Sequence, residues 1–358
     1  MYKEAKEFAE KYVKPYNLDI DKEGKFPSEI LDKIGEEGYF SLVIPREYGG
    51  NGKGLKEVIE VIHALSEASP SVGLVYTMHP AAVVALYEND NTELAKHISE
   101  EIVKNNYFMT GAHSEFETGC HCISTMNTEL KEHSMTYTGR KSMITAGGYA
   151  KYYLTTTPPT IEEAQDYWMF DKDMPGISFE ENKWDGVGMR GNMAVPMIFD
   201  HVEVDSTYRV GTQALNSTIY FNLGLAAVYS AITQRAFEES LEHVKSRKYS
   251  DGSSLIDFDA VKKHISRIYR LSYSSKASIE KVIDTFEKDP ANALKECLAA
   301  RILASENSVE ATTIAMRIGG GQSYNKSNII ESLHRDALAS QVMTPSLDVL
   351  EQLVSSML

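Results

Sequence analysis

Apolar residues recur at helical spacing through the first hundred residues, give way to short alternating runs, and return to helical spacing beyond Gly211. Ile30, Leu31 and Ile34 share one side of a helix opened by Pro27-Ser28-Glu29, and Gly35 and Gly38 weaken its end. Pro45-Arg46-Glu47-Tyr48-Gly49-Gly50-Asn51-Gly52 is a turn-rich break, after which helical periodicity runs from Leu55 to Leu65 and from Val72 to Tyr87. The pattern changes near Tyr107. Ser134–Tyr137, Tyr152–Thr157, Gly176–Glu180 and Val195–Val204 are short, rich in Thr, Tyr, Val and Ile, and separated by Gly, Pro or Asp, which predicts strands. Further on, Leu225, Val228 and Ile232 fall on one helical face that Phe237, Leu241 and Val244 continue. Three more helices are predicted over Asp259–Phe286, Ala291–Ile318 and Ser327–Ala339. The order predicts an α+β, mostly α, protein with a helical domain over 1–108, a β domain over 109–212 and a helical bundle over 213–358.

Composition narrows the function classes. The 358 residues suffice for a buried core, with 42% hydrophobic and 24% charged residues. A net charge of -15 argues against nucleic acid as a partner, because phosphate backbones are bound by basic stripes. No apolar run approaches the roughly 20 residues that span a bilayer. The polar, helix-forming start Met1-Tyr2-Lys3-Glu4 does not resemble a signal peptide. Cys120, Cys122 and Cys297 are too few and too unevenly placed for a disulfide framework, so a cytoplasmic location is expected. His113, Cys120, His121 and Cys122 carry metal-ligand types, but strand alternation turns His121 away from the two cysteines, and no metal is predicted.

The motifs point to a cofactor. Gly320-Gly321-Gln322-Ser323-Tyr324 is followed by Arg335-Asp336-Ala337. Phe26-Pro27 precedes Gly38-Tyr39-Phe40-Ser41-Leu42-Val43-Ile44-Pro45-Arg46-Glu47-Tyr48-Gly49-Gly50, and Thr138 to Gly147 reads as strand–turn–strand. Pro175-Gly176 and Gly188-Met189-Arg190-Gly191-Asn192 lead to Phe199-Asp200-His201-Val202-Glu203-Val204. In this order and spacing the chain resembles the acyl-CoA dehydrogenase superfamily over nearly its whole length. The resemblance implies an N-terminal helical domain, a central β domain, a C-terminal four-helix bundle, and assembly as a homodimer or homotetramer. It also implies a flavin, FAD with FMN as the alternative. The Gly320-Gly321 loop would hold FAD, often that of a neighbouring subunit, since glycine lets backbone approach a ligand closely. Arg247 falls where the family pairs an arginine with the pyrophosphate, a contact suited to the guanidinium fork. Thr145 takes a position beside the flavin ring, and Met143 replaces the family's tryptophan there. Ser114-Glu115-Phe116-Glu117-Thr118-Gly119-Cys120-His121 aligns with the family's flavin-facing Thr-Glu-Pro-x-x-Gly-Ser-Asp, which places Ser114, Gly119 and Cys120 at cofactor-binding positions and His113 at the start of the loop.

The chain departs from the family at the catalytic base. The superfamily's glutamate nine residues after the arginine is Thr344 here, and its second location, 26 residues before Arg247, is Phe221, followed by Asn222. Neither side chain can abstract a proton α to a thioester, so fast desaturation of straight-chain acyl-CoA is not expected. The same scaffold is similar to a branch of flavin monooxygenases and N-hydroxylases that need no such base. The expectation is therefore a flavin-dependent oxidoreductase, acting as an oxygenase or N-hydroxylase with reduced flavin. Its alternative is a dehydrogenase of an unusual acyl thioester, bound to CoA or a carrier protein, with a base relocated to Glu115 or a histidine. A third reading is a non-redox flavin- or ligand-binding protein. Candidate catalytic residues are His79, Ser114, Glu115 and Thr344. A lone histidine in an apolar helix such as Tyr76-Thr77-Met78-His79-Pro80 is more commonly a satisfied core residue, but in the family that helix lies beside the flavin. Expected partners are a small-molecule or acyl-thioester substrate and either a flavin reductase or an electron-transfer flavoprotein.

Overall fold

A computed structural model describes residues 1–119, 123–160 and 165–358. Six α-helices precede the sheets: α1 (Tyr2–Tyr12), α2 (Asn17–Glu23), α3 (Ser28–Glu36), α4 (Leu55–Ala68), α5 (Pro70–Ala85) and α6 (Thr92–Asn105). The strands are β1 (Met109–Ala112), β2 (Asn127–Leu130), β3 (Ser134–Thr145), β4 (Tyr152–Thr157), β5 (Asp166–Asp171), β6 (Ile177–Phe179), β7 (Ala194–Asp205) and β8 (Arg209–Gly211). Five helices follow: α7 (Leu215–Ser246), α8 (Asp259–Phe286), α9 (Pro290–Gly319), α10 (Ile329–Val342) and α11 (Leu347–Ser356). No helix among the described residues is long and apolar enough to cross a membrane.

The strands form two four-stranded sheets, ordered β1-β4-β5-β8 and β2-β3-β7-β6. β1 runs parallel to β4, and the other pairs are antiparallel. β4 is buried along its whole length, as a strand covered on both faces must be. The Thr138–Gly147 segment is not strand–turn–strand. It continues β3 as one strand to Thr145, with a register shift against β7 between Lys141 and Ile144, and the turn comes afterwards. The extra residue of that bulge is absorbed where Met143 adopts φ 50°, in the left-handed region that costs a side chain free energy. A bulge re-aims the side chains around it, and here it leaves Met143 56% exposed between the buried Ser142 and Ile144.

α5 is the pivot of the fold. It is buried on every side, so its apolar residues show no amphipathic stripe. It packs against α4, α7 and the start of the β domain at β1. α7, α8, α9 and α10 form the C-terminal bundle, with α7 against α9 as its broadest seam and α11 laid on α9. Gly224 on α7 lets α5 approach closely, because a Cβ there would press on Thr77. These contacts leave one face of α5 and the start of α7 looking at the end of β1 and the bulge of β3.

Candidate active site

A cavity of about 440 Å³ lies at that junction. Its helical wall is built by Met78, Ala81 and Ala82 of α5, Ser217, Thr218, Phe221 and Asn222 of α7, and Val342, Met343 and Thr344 at the end of α10. Its sheet wall is built by Gly111, His113 and Ser114 beyond β1 and by Met143, Ile144 and Thr145 at the bulge. Trp184, Met189 and Asn192, from the loop before β7, also border it. Among the described residues no Asp, Glu, Lys or Arg lines this cavity. The helical wall sets Ser217, Thr218, Asn222 and Thr344 among apolar residues, and the sheet wall contributes His113, Ser114 and Thr145.

Ser114, Met143, Thr145 and Thr344 are thus brought together, and Phe221 faces the same space. The other candidates are not. Glu115 is 2% exposed and points into the β domain, where its two oxygens are used up. Oε1 accepts from Lys141 Nζ at 2.6 Å and Ser124 Oγ at 2.7 Å, and Oε2 accepts from the backbone N and Oγ1 of Thr125, both at 2.8 Å. Burial works against ionisation, but these donors outweigh it and hold the carboxyl below the usual carboxylate range. A carboxylate so engaged has no lone pair aimed at a substrate, and the relocated base is not there.

His79 is likewise committed. Its Nε2 donates to the carbonyl O of Phe40 at 2.7 Å, and its Nδ1 accepts from the backbone N of Met109 at 2.9 Å. That pairing fixes the tautomer, since a carbonyl can only accept and an amide N–H can only donate. The ring packs between Phe40 and Phe108, with centroids 4.8 and 5.1 Å away, and burial pushes its pKa down to about 4. His79 ties α5 to the N-terminal domain and to β1; it does not reach the cavity.

Gly119 has φ +60° and an open surround, and Cys120 lies outside the described residues, as do His121 and Cys122. Arg247 ends α7, and its guanidinium lies 5.6 Å from the ring centre of Tyr249 without a carboxylate partner among the described residues. Gly320, at the end of α9, needs its positive φ of 57°, and a Cβ on Gly320 or Gly321 would meet nothing within 4 Å. Both glycines are exposed, and neither lines the cavity.

One buried cation escaped the sequence reading. Arg301 of α9 is 0% exposed and stands directly behind the helical wall. Its Nη1 donates to Asn222 Oδ1 at 2.9 Å, and its Nη2 donates to the carbonyls of Met343 and Pro345 at 3.1 and 3.2 Å. The fork therefore fixes both flanks of Thr344 and one of the two α7 residues facing it. Its guanidinium also lies 5.7 Å from the ring centre of Phe221. The signal was a single arginine inside the apolar run Cys297-Leu298-Ala299-Ala300-Arg301-Ile302-Leu303. A charge in that setting needs bonded donors to offset its burial; Nη1 and Nη2 have them, and Nε is buried without a partner.

Two family models match this chain: the acyl-CoA dehydrogenase N-terminal domain over residues 1–105 and the C-terminal domain over 211–355. The chain belongs to the acyl-CoA dehydrogenase superfamily. It is 25% identical over 372 residues to an acyl-CoA dehydrogenase of Bacillus subtilis, covering 100% of this chain and 97% of that protein. It is 25% identical over 369 residues to the CarC subunit of the caffeyl-CoA reductase-Etf complex of Acetobacterium woodii, covering 99% and 96%. Butyryl-CoA dehydrogenase from Megasphaera elsdenii shares the fold at a TM-score of 0.92 and 18% identity, covering 99% of this chain and 96% of the other. Members of the superfamily are flavin-dependent oxidoreductases, and so is this one.

The cavity suits a flavin. Asn192 Oδ1 and His113 Nδ1 are buried polar atoms with no hydrogen-bond partner, and both residues border it. Such orphaned atoms cost free energy unless a ligand pairs with them. A flavin ring carries both donors and acceptors along one edge and an apolar body, which matches a polar sheet wall opposite methionine and alanine.

Proposed function

We propose that this superfamily member is an FAD-dependent oxidoreductase of an acyl thioester, carried by CoA or a carrier protein. The observation that carries the reading is the cavity itself, which joins the polar groups of the sheet wall to a chamber between α5, α7 and α10 that no charged side chain lines among the described residues. Ser114, Thr145 and Asn192 would orient the flavin ring, while Arg247, Gly320 and Gly321 would hold the pyrophosphate end in a homo-oligomer. A bound flavin supplies two-electron transfer at the acyl chain. The chain's own residues position the acyl group and exclude water: Met78, Phe221 and Met343 offer an adaptable apolar lining, and Arg301 fixes the backbone on both sides of Thr344. Similarity to an Etf-complex subunit supports an electron-transfer flavoprotein as the redox partner in the cytoplasm.

The test is anaerobic. Flavin-loaded protein is mixed with butyryl-CoA, with 3-phenylpropanoyl-CoA, and with the same acyl groups on a carrier protein, while the flavin absorbance is followed. Loss of the oxidised-flavin band with at least one thioester is expected, and slow or absent bleaching by the straight-chain butyryl group is compatible with the missing glutamate. No bleaching by any of them contradicts the reading.

A second reading is favoured by one specific feature. A cavity wall without a carboxylate, closed by Phe221, Met343 and Thr344, is the weakly solvated setting that oxygenation by reduced flavin requires. Oxygen consumption that depends on reduced flavin and yields a hydroxylated product would favour it over the thioester reading.

A further inference from the structure

Arg301 is a buried cation without a counter-ion. Its acceptors are all neutral: Asn222 Oδ1 at 2.9 Å and the carbonyls of Met343 and Pro345 at 3.1 and 3.2 Å. The titratable groups that act on it are Tyr229 and Cys297, both pushed up to about 12 by burial and so neutral at pH 7. Asp336, the buried carboxyl of α10, is engaged elsewhere, its Oδ1 accepting from the backbone N of Met189 at 2.6 Å. A guanidinium does not deprotonate inside a protein, so the charge stays. A neutral amide donor would meet the same acceptors at a lower desolvation cost, so holding the chain after α10 does not by itself account for a cation here.

The charge bears on the helical side of the cavity. Asn222, Met343 and Pro345 line it, and so does Phe221, whose ring centre lies 5.7 Å from the guanidinium. The carbonyls drawn to Arg301 turn the negative ends of their dipoles towards it and the positive ends away, on the side of the chamber. Apolar Phe221 and Met343 keep water from screening the field. With no Asp, Glu, Lys or Arg among the described lining residues, the potential of Arg301 has no charged rival in the wall itself.

We propose that Arg301 makes the helical chamber an anion-stabilising site, in which an acyl thioester is held more tightly as its enolate than as the neutral form. The proposal rests on the thioester reading above. Carbanion character at Cα places an electron pair largely on the thioester oxygen. A fixed positive charge behind a weakly solvated wall stabilises that form more than the uncharged ground state. Arg301 acts through Asn222, Met343 and Pro345 and does not touch the acyl group. It is a positioning residue whose charge counts as well as its fork.

The test uses acetoacetyl-CoA, whose Cα–H is acidic enough to ionise in mildly alkaline water: the bond breaks, the electron pair spreads onto the oxygens, and the proton passes to the buffer. Flavin-loaded parent, Arg301→Gln and Arg301→Lys are titrated with it at a pH where it is neutral and at one where it is partly ionised. Asp336, which titrates at about 7, does so in all three proteins, so a difference between them belongs to position 301. At an effective dielectric of about 20, a unit charge about 10 Å away shifts an ionisation roughly 10-fold or more, so the parent should bind the enolate at least ~10-fold more tightly than the neutral form. Arg301→Gln should lose that preference with affinity for the neutral form little changed, and Arg301→Lys should keep most of it. A merely structural role would instead weaken both forms alike. No preference in the parent, or an equal one in Arg301→Gln, overturns the assignment while leaving the thioester reading in place. If Arg301→Gln does not fold, Arg301→Lys decides: a retained preference supports the assignment and a lost one overturns it. No binding of acetoacetyl-CoA by the parent at either pH overturns the thioester reading and the assignment with it.

Discussion

The carboxylate of Glu115 and the ammonium of Lys141 meet at 2.6 Å with both side chains sealed from solvent, and they brace the strand ends that carry the cavity's sheet wall. Removing one partner strands a buried charge. Lys141→Met is therefore expected to destabilise the protein by about 3–5 kcal/mol, while Lys141→Met with Glu115→Leu should recover part of that loss. Chemical denaturation of the single and double variants checks this. Equal stability of Lys141→Met and the parent would contradict the pairing.

Interactions between neighbours along the chain are legible in the sequence, and those between distant residues are not. Tyr152–Thr157 and Asp259–Phe286 were legible to the residue, because β-branched runs and helical periodicity are properties of neighbours along the chain. The β3 bulge was not, since only pairing with β7 shows that Lys141 to Ile144 holds an extra residue. Ser114, Met143, Thr145 and Thr344 line one cavity. The fates of Glu115 and His79 depended on partners 26 and 39 residues away, Lys141 and Phe40, which no local pattern reveals. Arg301 was missed for the same reason, as its acceptors come from α7 and from the segment after α10.

His79 makes stability depend on pH. Its folded pKa of about 4 lies below the ordinary 6.5, so the unfolded chain binds more protons between those values and stability falls as pH is lowered through that window. The loss attributable to this ring between pH 7 and pH 5 is about 2 kcal/mol. His113, with the same direction and cause, adds to it in the absence of ligand. Urea denaturation at the two pH values, for the parent and for His79→Leu, should show a smaller pH dependence in the variant, on top of a lower stability from the lost bonds to Phe40 and Met109. An unchanged pH dependence would refute this role.

Arg247 should matter for cofactor and not for fold. If its exposed guanidinium makes a charge-assisted contact with the FAD pyrophosphate, Arg247→Ala weakens FAD binding by about 1.5–3 kcal/mol. Fluorescence-quenching titration reads the change, which should shrink in high salt. The thermal midpoint of the flavin-free protein should not move. Unaltered affinity would take Arg247 out of the site.

Thr344→Glu restores a carboxylate to the cavity wall. Arg301, bonded to the carbonyls of Met343 and Pro345 on either side, should keep it ionised. Anaerobic flavin reduction by butyryl-CoA is expected to speed up by about 10²-fold or more relative to the parent, the lower end of general-base assistance. Thr344→Gln should give no such gain. If the glutamate and glutamine variants behave alike, position 344 does not face the reacting carbon.

On the proposed function, this cavity exchanges electrons with an acyl thioester. The most direct test starts from flavin-loaded protein that has been photoreduced without oxygen and is then mixed, in a stopped-flow spectrometer, with cinnamoyl-CoA or with oxygenated buffer. The unsaturated thioester is expected to return the flavin to its oxidised spectrum under anaerobic conditions, with 3-phenylpropanoyl-CoA as the product. Flavin that stays reduced in the presence of the thioester and reoxidises only with oxygen would contradict it.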